Sequence, residues 1–167
     1  MRALILSADQ FEDVELLVPY YRLLEAGVGV DIASRRAGEI TGKHGYRVRA
    51  NMAAGDADPS EFDLLVLPGG KAPGAIRKVS GVQEIARTFM QSGKPVAAIC
   101  HGAQILVSAE VVAGRTATAH PEVGPELRAA GADYRDEEVV VDGNLVTSRV
   151  PDDLPAFMRE MMRLING

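Results

Sequence analysis

Short apolar runs alternate along the chain with segments in which apolar residues recur at helical spacing. Runs of about four to eight apolar residues bounded by breakers are typical of strands buried in a parallel sheet, whereas a three-to-four-residue spacing indicates a helix. The pattern predicts strands at residues 3–6, 28–33, 63–67 and 96–99, and helices at residues 12–25, 82–90, 122–130 and 152–165. This alternation predicts a single-domain, flavodoxin-like doubly wound α/β fold with a mostly parallel sheet over residues 1–167.

Two further segments are predicted to form hairpins. Residues 39–42 and 46–49 are candidate strands around a Gly-containing turn, and residues 138–141 and 145–148 flank Asp142-Gly143-Asn144. The Asp-Gly pair is a strong signal for a tight hairpin turn. Within the first predicted helix, Pro19 should kink the helix or mark an early turn.

The strand at residues 96–99 ends at Cys100, which is framed as Ala98-x-Cys100-x-Gly102. Small residues two positions before and after a nucleophile are required by a sharp strand-to-helix turn, because larger side chains would collide there. Such a nucleophile elbow holds the side chain at a helix N-terminus, where the dipole and free N–H groups favour the thiolate. The alternative, a small buried hydrophobe, is outweighed by this frame and by the adjacent His101.

In a doubly wound sheet the functional crevice lies at the carboxyl ends of the strands, and three loops meet that description: residues 7–12, 68–71 and 100–102. Glu12 either faces Cys100 across the crevice or only stabilises the helix N-terminus, and both readings remain open. Two interpretations of Gly69 and Gly70 are open. In the first, their N–H groups and that of His101 form an oxyanion hole. In the other, Pro-Gly-Gly is an ordinary turn at a strand end.

Two histidines are candidate general bases. His101 adjoins the cysteine, and a bend at the helix start can bring its imidazole back over the sulfur. His120 precedes Pro121 and should therefore be extended. It follows Cys100 by 20 residues, after one helix and a short strand, which would return it to the same rim. His44, within Gly42-Lys43-His44-Gly45, is predicted to be a surface turn residue.

Composition narrows the class of function. The chain has 167 residues, 47% apolar and 25% charged, close to the average of a soluble globular domain with a sizeable core. A formal net charge of −5 without a long basic run argues against nucleic acid as the main partner. No apolar stretch is long enough to span a membrane. A single cysteine predicts a free thiol in a reducing cytoplasm, and without paired Cys/His clusters no metal site or cofactor is expected.

The chain resembles the ThiJ/PfpI superfamily, most closely its PfpI-type intracellular protease branch. The likeness runs essentially end to end through the motifs Phe11–Leu16, Ile40–Tyr46, Leu67–Gly70, Ala98–Gly102, Val139–Asn144 and Ser148–Pro151. The resemblance implies that Cys100 is the nucleophile, His101 its partner and Glu12 the carboxyl that hydrogen-bonds the sulfur. It also implies backbone donors from Gly70 and His101, and assembly into dimers or hexamers.

One position departs from the protease branch. There, a glutamate from a neighbouring subunit, just after Ala72-Pro73, completes a Cys-His-Glu triad, and this chain has Gly74 instead. In other triads, loss of the orienting acid costs on the order of 10⁴ in rate, which argues against peptide hydrolysis. Thr118–Pro121 resembles a Thr-x-His-Pro segment of the sister ThiJ-like branch, for which glyoxalase and protein-deglycase activities are described. By this resemblance, His120 would act as the general base in this chain, in which Gly74 removes the acid of the protease triad.

Three functions would use the same activated thiol. The favoured one is a cytoplasmic stress-protection enzyme of glyoxalase or deglycase type, acting through Cys100 on small reactive carbonyls such as methylglyoxal or on glycated proteins. The alternatives are a PfpI-type intracellular cysteine peptidase and a non-enzymatic redox sensor or chaperone with an oxidisable Cys100. The natural substrate, the oligomeric state and the working histidine are left open by the sequence.

Overall fold

The computed structural model describes residues 1–167 and contains eleven strands and six helices. The strands are β1 (Arg2–Leu6), β2 (Gly29–Ser34), β3 (Gly38–Thr41), β4 (Arg47–Ala50), β5 (Met52–Ala53), β6 (Leu64–Leu67), β7 (Val96–Ile99), β8 (Thr116–Ala117), β9 (Asp133–Tyr134), β10 (Val140–Asp142) and β11 (Leu145–Ser148). The helices are α1 (Asp13–Glu25), α2 (Ala72–Ile76), α3 (Ser80–Ser92), α4 (Ala103–Ser108), α5 (Gly124–Ala129) and α6 (Leu154–Asn166). None of these helices is long and apolar enough to cross a membrane.

The central sheet has seven strands in the order β10-β11-β7-β6-β1-β2-β5, and every neighbouring pair except β10 and β11 is parallel. Strands β6 and β7 are buried along their whole length, which explains their continuous apolar sequences. The crossovers β1-α1-β2 and β6-α3-β7 run in opposite directions across the sheet. Because such crossovers are right-handed, α1 and α3 cover opposite faces, as the predicted doubly wound fold requires.

The direction of winding changes between β1 and β6, which lie side by side with Ile5 opposite Val66. In sheets of this kind the ligand crevice lies beyond the carboxyl ends of the strands at this point. The loops that follow the two strands are joined there by a bridge between Phe11 and Gly70. Cys100 follows β7, the next strand along, so all three predicted loops meet at one edge of the sheet.

Both predicted hairpins are present. Strand β3 pairs antiparallel with β4, and β10 with β11 around Gly143. The helix α1 continues through Pro19, which therefore does not mark an early turn, and the proline lies on the buried face of the helix together with Leu16 and Leu23. The short strand predicted before His120 is present as β8. Its parallel partner β9, strand β5 and the short helix α2 were not predicted, since segments of two to five residues are too short to show periodicity.

The turn after β7 has the geometry of a nucleophile elbow. Cys100 has a φ of 61°, in the left-handed region that non-glycine residues rarely adopt. Residues 100–102 then form a 3₁₀ turn that leads directly into α4. A Cβ at Gly102 would collide with the carbonyl oxygen of Leu67, so the small residue predicted at this position is required by the close approach of β6.

Replacement of Gly102 by alanine is expected to lower the free energy of unfolding by at least about 2 kcal/mol, because a backbone carbonyl must move to admit the methyl group. Urea unfolding measures the loss. The matched control is Gly74→Ala, since the nearest atom to a Cβ there is Oε1 of Gln104 at 3.6 Å. Equal stabilities of the two variants would contradict the steric argument.

Candidate active site

A cleft of about 490 Å³ opens at the carboxyl edge of the sheet and contains Cys100. Its walls come from the loops that follow β1, β6 and β7, from the turn between β3 and β4, from the segment that precedes α5 and from the residues that follow β11. The residues that line it are Glu12, Lys43, Gly70, Lys71, Gly74, Cys100, His101, Gln104, His120, Glu122, Val150 and Pro151. Five of the six predicted site residues therefore share one cleft, the exception being Gly69.

The Cys100 side chain lies at the floor of this cleft and is almost completely buried, with 6% of the residue exposed. Burial, and second the charge of Glu15 when that carboxyl is ionised, raise the pKa of the thiol to about 12, while the N–H groups of Gly70 and His101 and the charge of Lys43 lower it. The expectation that the elbow favours a resting thiolate is therefore corrected. Burial outweighs the backbone donors, and the thiol keeps its proton until a base removes it.

Glu15 approaches the sulfur from inside the fold. Its side chain is fully buried, and Oε1 accepts a hydrogen bond of 3.0 Å from the N–H of Gly69. A Cβ at Gly69 would lie 2.5 Å from this oxygen and 2.9 Å from Sγ of Cys100, so the two groups are separated by little more than the space of the missing side chain. Burial first, and the charge of Glu12 second, raise the pKa of Glu15 to about 8 against the hydrogen bonds from Gly69 and Cys100, which lower it. At neutral pH Glu15 is mostly protonated, which removes its repulsion of a sulfur anion.

The structure places Glu15, rather than Glu12, beside the sulfur. The Glu12 carboxylate pairs instead with Lys43, at 2.7 Å from Nζ, and with His44, at 3.2 Å from Nε2. Glu12 precedes the first residue of α1, whereas Glu15 lies within the helix, on the buried face that it shares with Pro19 and Leu23. The assignment of Glu12 as the partner of the sulfur is therefore corrected to Glu15, and Glu12 forms the charged wall of the cleft.

The backbone donors around the sulfur come from two of the three predicted residues. The N–H groups of Gly70 and His101 both point at Cys100 and lower its pKa. The N–H of Gly69 is bonded to Glu15, so its predicted part in the oxyanion hole is wrong. Two convergent donors remain, which is the number that a simple oxyanion hole provides.

His101 lies over the sulfur, as its bend at the start of α4 predicts. Its Nδ1 is 3.2 Å from Sγ of Cys100, and its Nε2 is 3.0 Å from Oε2 of Glu122. A carboxylate on Nε2 holds the proton there and leaves the lone pair of Nδ1 directed at the thiol. The three side chains form a continuous Cys100–His101–Glu122 relay within one chain.

His120 stands behind His101 rather than over the sulfur. The two rings stack with centroids 4.4 Å apart, and the backbone N–H of His120 donates to the carbonyl of Cys100 at 3.2 Å. As predicted before Pro121, the residue is extended, with a ψ of 139°. Its Nδ1 accepts a hydrogen bond from the N–H of Glu122, and burial followed by the charge of His101 lowers its pKa. This position supports His101 and Glu122 but gives no direct route to the thiol proton.

Replacement of Glu15 by glutamine is expected to flatten the pH dependence of stability. The pKa of Glu15 is about 8 in the folded protein, against an ordinary value of 4.5. Between these values the folded state binds more protons than the unfolded state, so wild-type stability falls as pH rises, by at most about 1.4 kcal/mol per pH unit. A glutamine does not titrate, and the variant lacks this loss.

Urea unfolding from about pH 5 to about pH 8 measures the difference between the two curves. The matched control is Glu84→Gln, which removes an exposed carboxylate on α3 and should follow the wild type. Parallel curves for wild type and Glu15→Gln would contradict the raised pKa of the buried carboxyl.

The geometry of this cleft invites comparison with known proteins. The family model described as DJ-1/PfpI matches residues 1–164. The chain belongs to the DJ-1/PfpI family. A relative from Pyrococcus abyssi named a deglycase is 56% identical over 165 residues, which cover 99% of each protein. An Escherichia coli relative named protein/nucleic acid deglycase 2 is 44% identical over 166 residues, which cover 98% of this chain and 96% of that protein.

Solved structures agree with the fold. The crystal structure of Drosophila melanogaster DJ-1beta superposes with a TM-score of 0.88 and 28% sequence identity, over 98% of this chain and 89% of that one. The resemblance to the ThiJ/PfpI superfamily is confirmed. The chain is thus a member of an enzyme-containing family, several of whose relatives are named deglycases.

Sequence reasoning missed two residues of this site. Glu15 had a readable signal, because it shares a four-residue spacing with Pro19 and Leu23, and all three are buried on one face of α1. Glu122 had none, since it contacts a side chain 21 positions away that only the fold brings near.

Proposed function

We propose that this DJ-1/PfpI family member is a cytoplasmic enzyme that acts on reactive carbonyls, of glyoxalase or deglycase type, with Cys100 as nucleophile. The observation that carries the proposal is the relay in which Nδ1 of His101 lies 3.2 Å from the thiol and Nε2 lies 3.0 Å from Glu122. The deglycase names of the relatives support the class of substrate. The cleft of about 490 Å³ has room for a small carbonyl or a glycated side chain.

In the proposed first step, the sulfur of Cys100 attacks the aldehyde carbon of methylglyoxal as His101 takes the thiol proton at Nδ1. The carbonyl oxygen becomes an alkoxide held by the N–H groups of Gly70 and His101, and protonation gives a hemithioacetal. Glu122 stabilises the imidazolium formed on the way. Protonated Glu15 donates toward the sulfur while it carries charge.

In the second step, the hydrogen on the former aldehyde carbon leaves as a proton and returns to the neighbouring ketone carbon. This converts the hemithioacetal into a lactoyl thioester without an external oxidant or reductant. Water then cleaves the carbon–sulfur bond and yields lactate and the free thiol. On a glycated amine or guanidine the former aldehyde carbon carries the nitrogen and a hydroxyl. Loss of that nitrogen as the protonated amine must first restore the aldehyde, which the sulfur then attacks, and the later steps yield lactate beside the free amine.

The test is lactate formation from methylglyoxal, and amine release from a methylglyoxal-treated amino acid, by wild-type protein freed of trace metal. Steady turnover above the rate in buffer is expected. His101→Asn should abolish most of the turnover, because Nδ1 of His101 is the ring nitrogen that contacts the thiol. His120→Asn should retain more turnover than His101→Asn, because the His120 ring stacks on His101 and does not contact the thiol. The reverse order would overturn the assignment of the base, and no wild-type turnover of either substrate would overturn the function.

A peptidase remains the second candidate, since Glu122 supplies an acid to His101 in a chain that has Gly74 at the family position. Gly74 lines the same cleft, with Gln104 nearby. Wild-type cleavage of denatured casein, absent in Cys100→Ser, would support this activity. Carbonyl turnover without casein cleavage would assign the relay to carbonyl chemistry alone.

A redox role for Cys100 is the third candidate. Its support is the buried carboxyl of Glu15, which as an acid can hydrogen-bond a sulfinate. Its weakness is the raised pKa of the thiol, because peroxide reacts with thiolate. The test is the mass of the intact protein after treatment with mild peroxide. If no oxygen is added at Cys100, the redox role is excluded.

We also propose self-association, as a dimer or hexamer. The outer face of α1 exposes Val14, Val18 and Tyr21, and the Tyr21 hydroxyl lies 3.2 Å from that of Tyr46, which directly precedes β4. An apolar stripe of this kind is commonly covered by a partner. Light scattering in solution tests it, and a monomer at all concentrations would overturn it.

A further inference from the structure

Three side chains converge at the mouth of the cleft, outward from the sulfur. We call His101, His120 and Glu122 the rim cluster, and one ligating atom from each lies within 4.8 Å of the others. Nε2 of His101 is 3.0 Å from Oε2 of Glu122, and Nδ1 of His120 is 4.0 Å from the same oxygen. No metal site was expected from the sequence, because it contains no paired Cys/His cluster and His101 lies 19 positions before His120.

The two imidazoles of the rim cluster are held in place before any ligand arrives. Their rings stack with an interplanar angle of 25°, and the backbone of His120 is bonded to that of Cys100. The third member is the most exposed of the three, with 74% of the Glu122 side chain accessible. A stacked pair of imidazoles beside an exposed carboxylate can adapt to an ion at small cost.

The donor set suits a particular chemistry. Two imidazole nitrogens and one carboxylate oxygen are the protein ligands of many zinc sites that keep an open fourth position. With metal–ligand distances of about 2.0–2.2 Å, neighbouring ligand atoms of a tetrahedral site lie roughly 3.3 Å apart. The His101–Glu122 separation of 3.0 Å is already close to this value. Nδ1 of His120 lies 4.0 Å from Oε2 of Glu122 and within 4.8 Å of the His101 ligand atom, so the His120 side chain must move inward by about 1 Å to complete the set.

We propose that the rim cluster is a binding site for a divalent transition-metal ion of the Zn²⁺ class. The ion would take one nitrogen each from His101 and His120 and one oxygen from Glu122, and the fourth position would face the cleft. Binding at His120 Nδ1 would displace the N–H of Glu122, so the affinity should be that of an exchangeable site rather than of a structural one.

Such an ion would act as a reversible inhibitor of the proposed reaction, and this consequence rests on the proposed function. A neutral imidazole that gives Nε2 to a metal carries its proton on Nδ1. In His101, Nδ1 is the atom that faces the sulfur at 3.2 Å. With the metal bound, this nitrogen can only donate, and the thiol proton has no acceptor.

The test is calorimetric titration of chelator-treated protein with zinc chloride, supported by the visible spectrum with cobalt(II). One ion per chain is expected, with an intense tetrahedral cobalt spectrum. Glu122→Gln and His120→Asn should each weaken binding at least about tenfold. Asparagine can still accept the hydrogen bond from the N–H of residue 122, so this variant keeps the local backbone. Glu137→Gln, which removes an exposed carboxylate elsewhere, should bind as wild type.

Absence of wild-type binding, or equal affinity of wild type and Glu122→Gln, would overturn the site. Binding lost in Cys100→Ser but retained in Glu122→Gln would overturn it in favour of a thiolate site. In the activity assay, zinc should abolish turnover and a chelator should restore it, and full turnover of zinc-saturated enzyme would overturn the inhibition. If metal-free protein has no turnover, the proposed function fails while calorimetry still decides the metal site.

Discussion

Replacement of Cys100 by serine is expected to lower the turnover of methylglyoxal on the order of 10⁴-fold. Removing the nucleophile of a hydrolytic relay costs about this much or more, and the remaining groups supply only binding and oxyanion stabilisation. A serine hydroxyl is less acidic than a thiol, and the burial that already raises the pKa of Cys100 would oppose an alkoxide still more strongly. The effect should fall on kcat, because the substrate cleft is unchanged.

The measurement is lactate release by wild type and Cys100→Ser under identical metal-free conditions. Thermal unfolding of both proteins provides the control, since oxygen replaces sulfur in a buried side chain of similar shape and the elbow backbone is unaltered. Matching melting temperatures with lost turnover would place the chemistry at the sulfur. Full turnover by a folded Cys100→Ser protein would contradict the nucleophile and move attention to other groups of the cleft.

Local sequence signals sufficed for the elements that carry the site. Strands β6 and β7 are continuous apolar runs. Gly102 indicates the tight turn after Cys100, because a Cβ at this position would collide with the carbonyl oxygen of Leu67. Strand alternation predicts a doubly wound sheet whose carboxyl edge brings the three loops together, whereas the position of the switch, between β1 and β6, is known from the structure. What could be predicted was the set of loops that meet.

The pairing of side chains within those loops could not be predicted in the same way. Whether Glu12 or Glu15 faces the sulfur depends on where α1 begins, and a shift of one position rotates every side chain by about 100°. The thiol pKa depends on burial, which residue spacing does not report. Glu122 meets His101 only because the segment after β8 returns over the elbow, so its role required the fold.

This contact between Glu122 and His101 bears on the family position that Gly74 occupies here. A histidine base needs an acceptor at its far nitrogen, and the chain has no carboxylate at position 74. Glu122 provides one at 3.0 Å, from the same chain rather than from a neighbour. Glu122 thus lies where it can take the place of the missing acid at position 74. Substitution of this one carboxylate tests the proposed relay.

Replacement of Glu122 by glutamine is expected to lower kcat for methylglyoxal by about 10²- to 10³-fold with little change in KM. A glutamine amide can donate to Nε2 of His101, which would shift the ring proton to Nδ1 and turn the base into a donor facing the thiol. The comparable change in a buried triad costs on the order of 10⁴. The smaller figure here reflects the 74% exposure of Glu122, which lets water replace part of the lost contact.

The decisive comparison sets Glu122→Gln against Glu137→Gln, which alters the net charge equally at an exposed site and should keep wild-type kcat. Glu122→Asp supplies the second arm, because its shorter carboxylate should recover part of the rate while the amide recovers none. A glutamine variant as fast as wild type would mean that the tautomer of His101 is set by another group. Equal losses in the glutamine and aspartate variants would mean that reach, rather than charge, limits the relay.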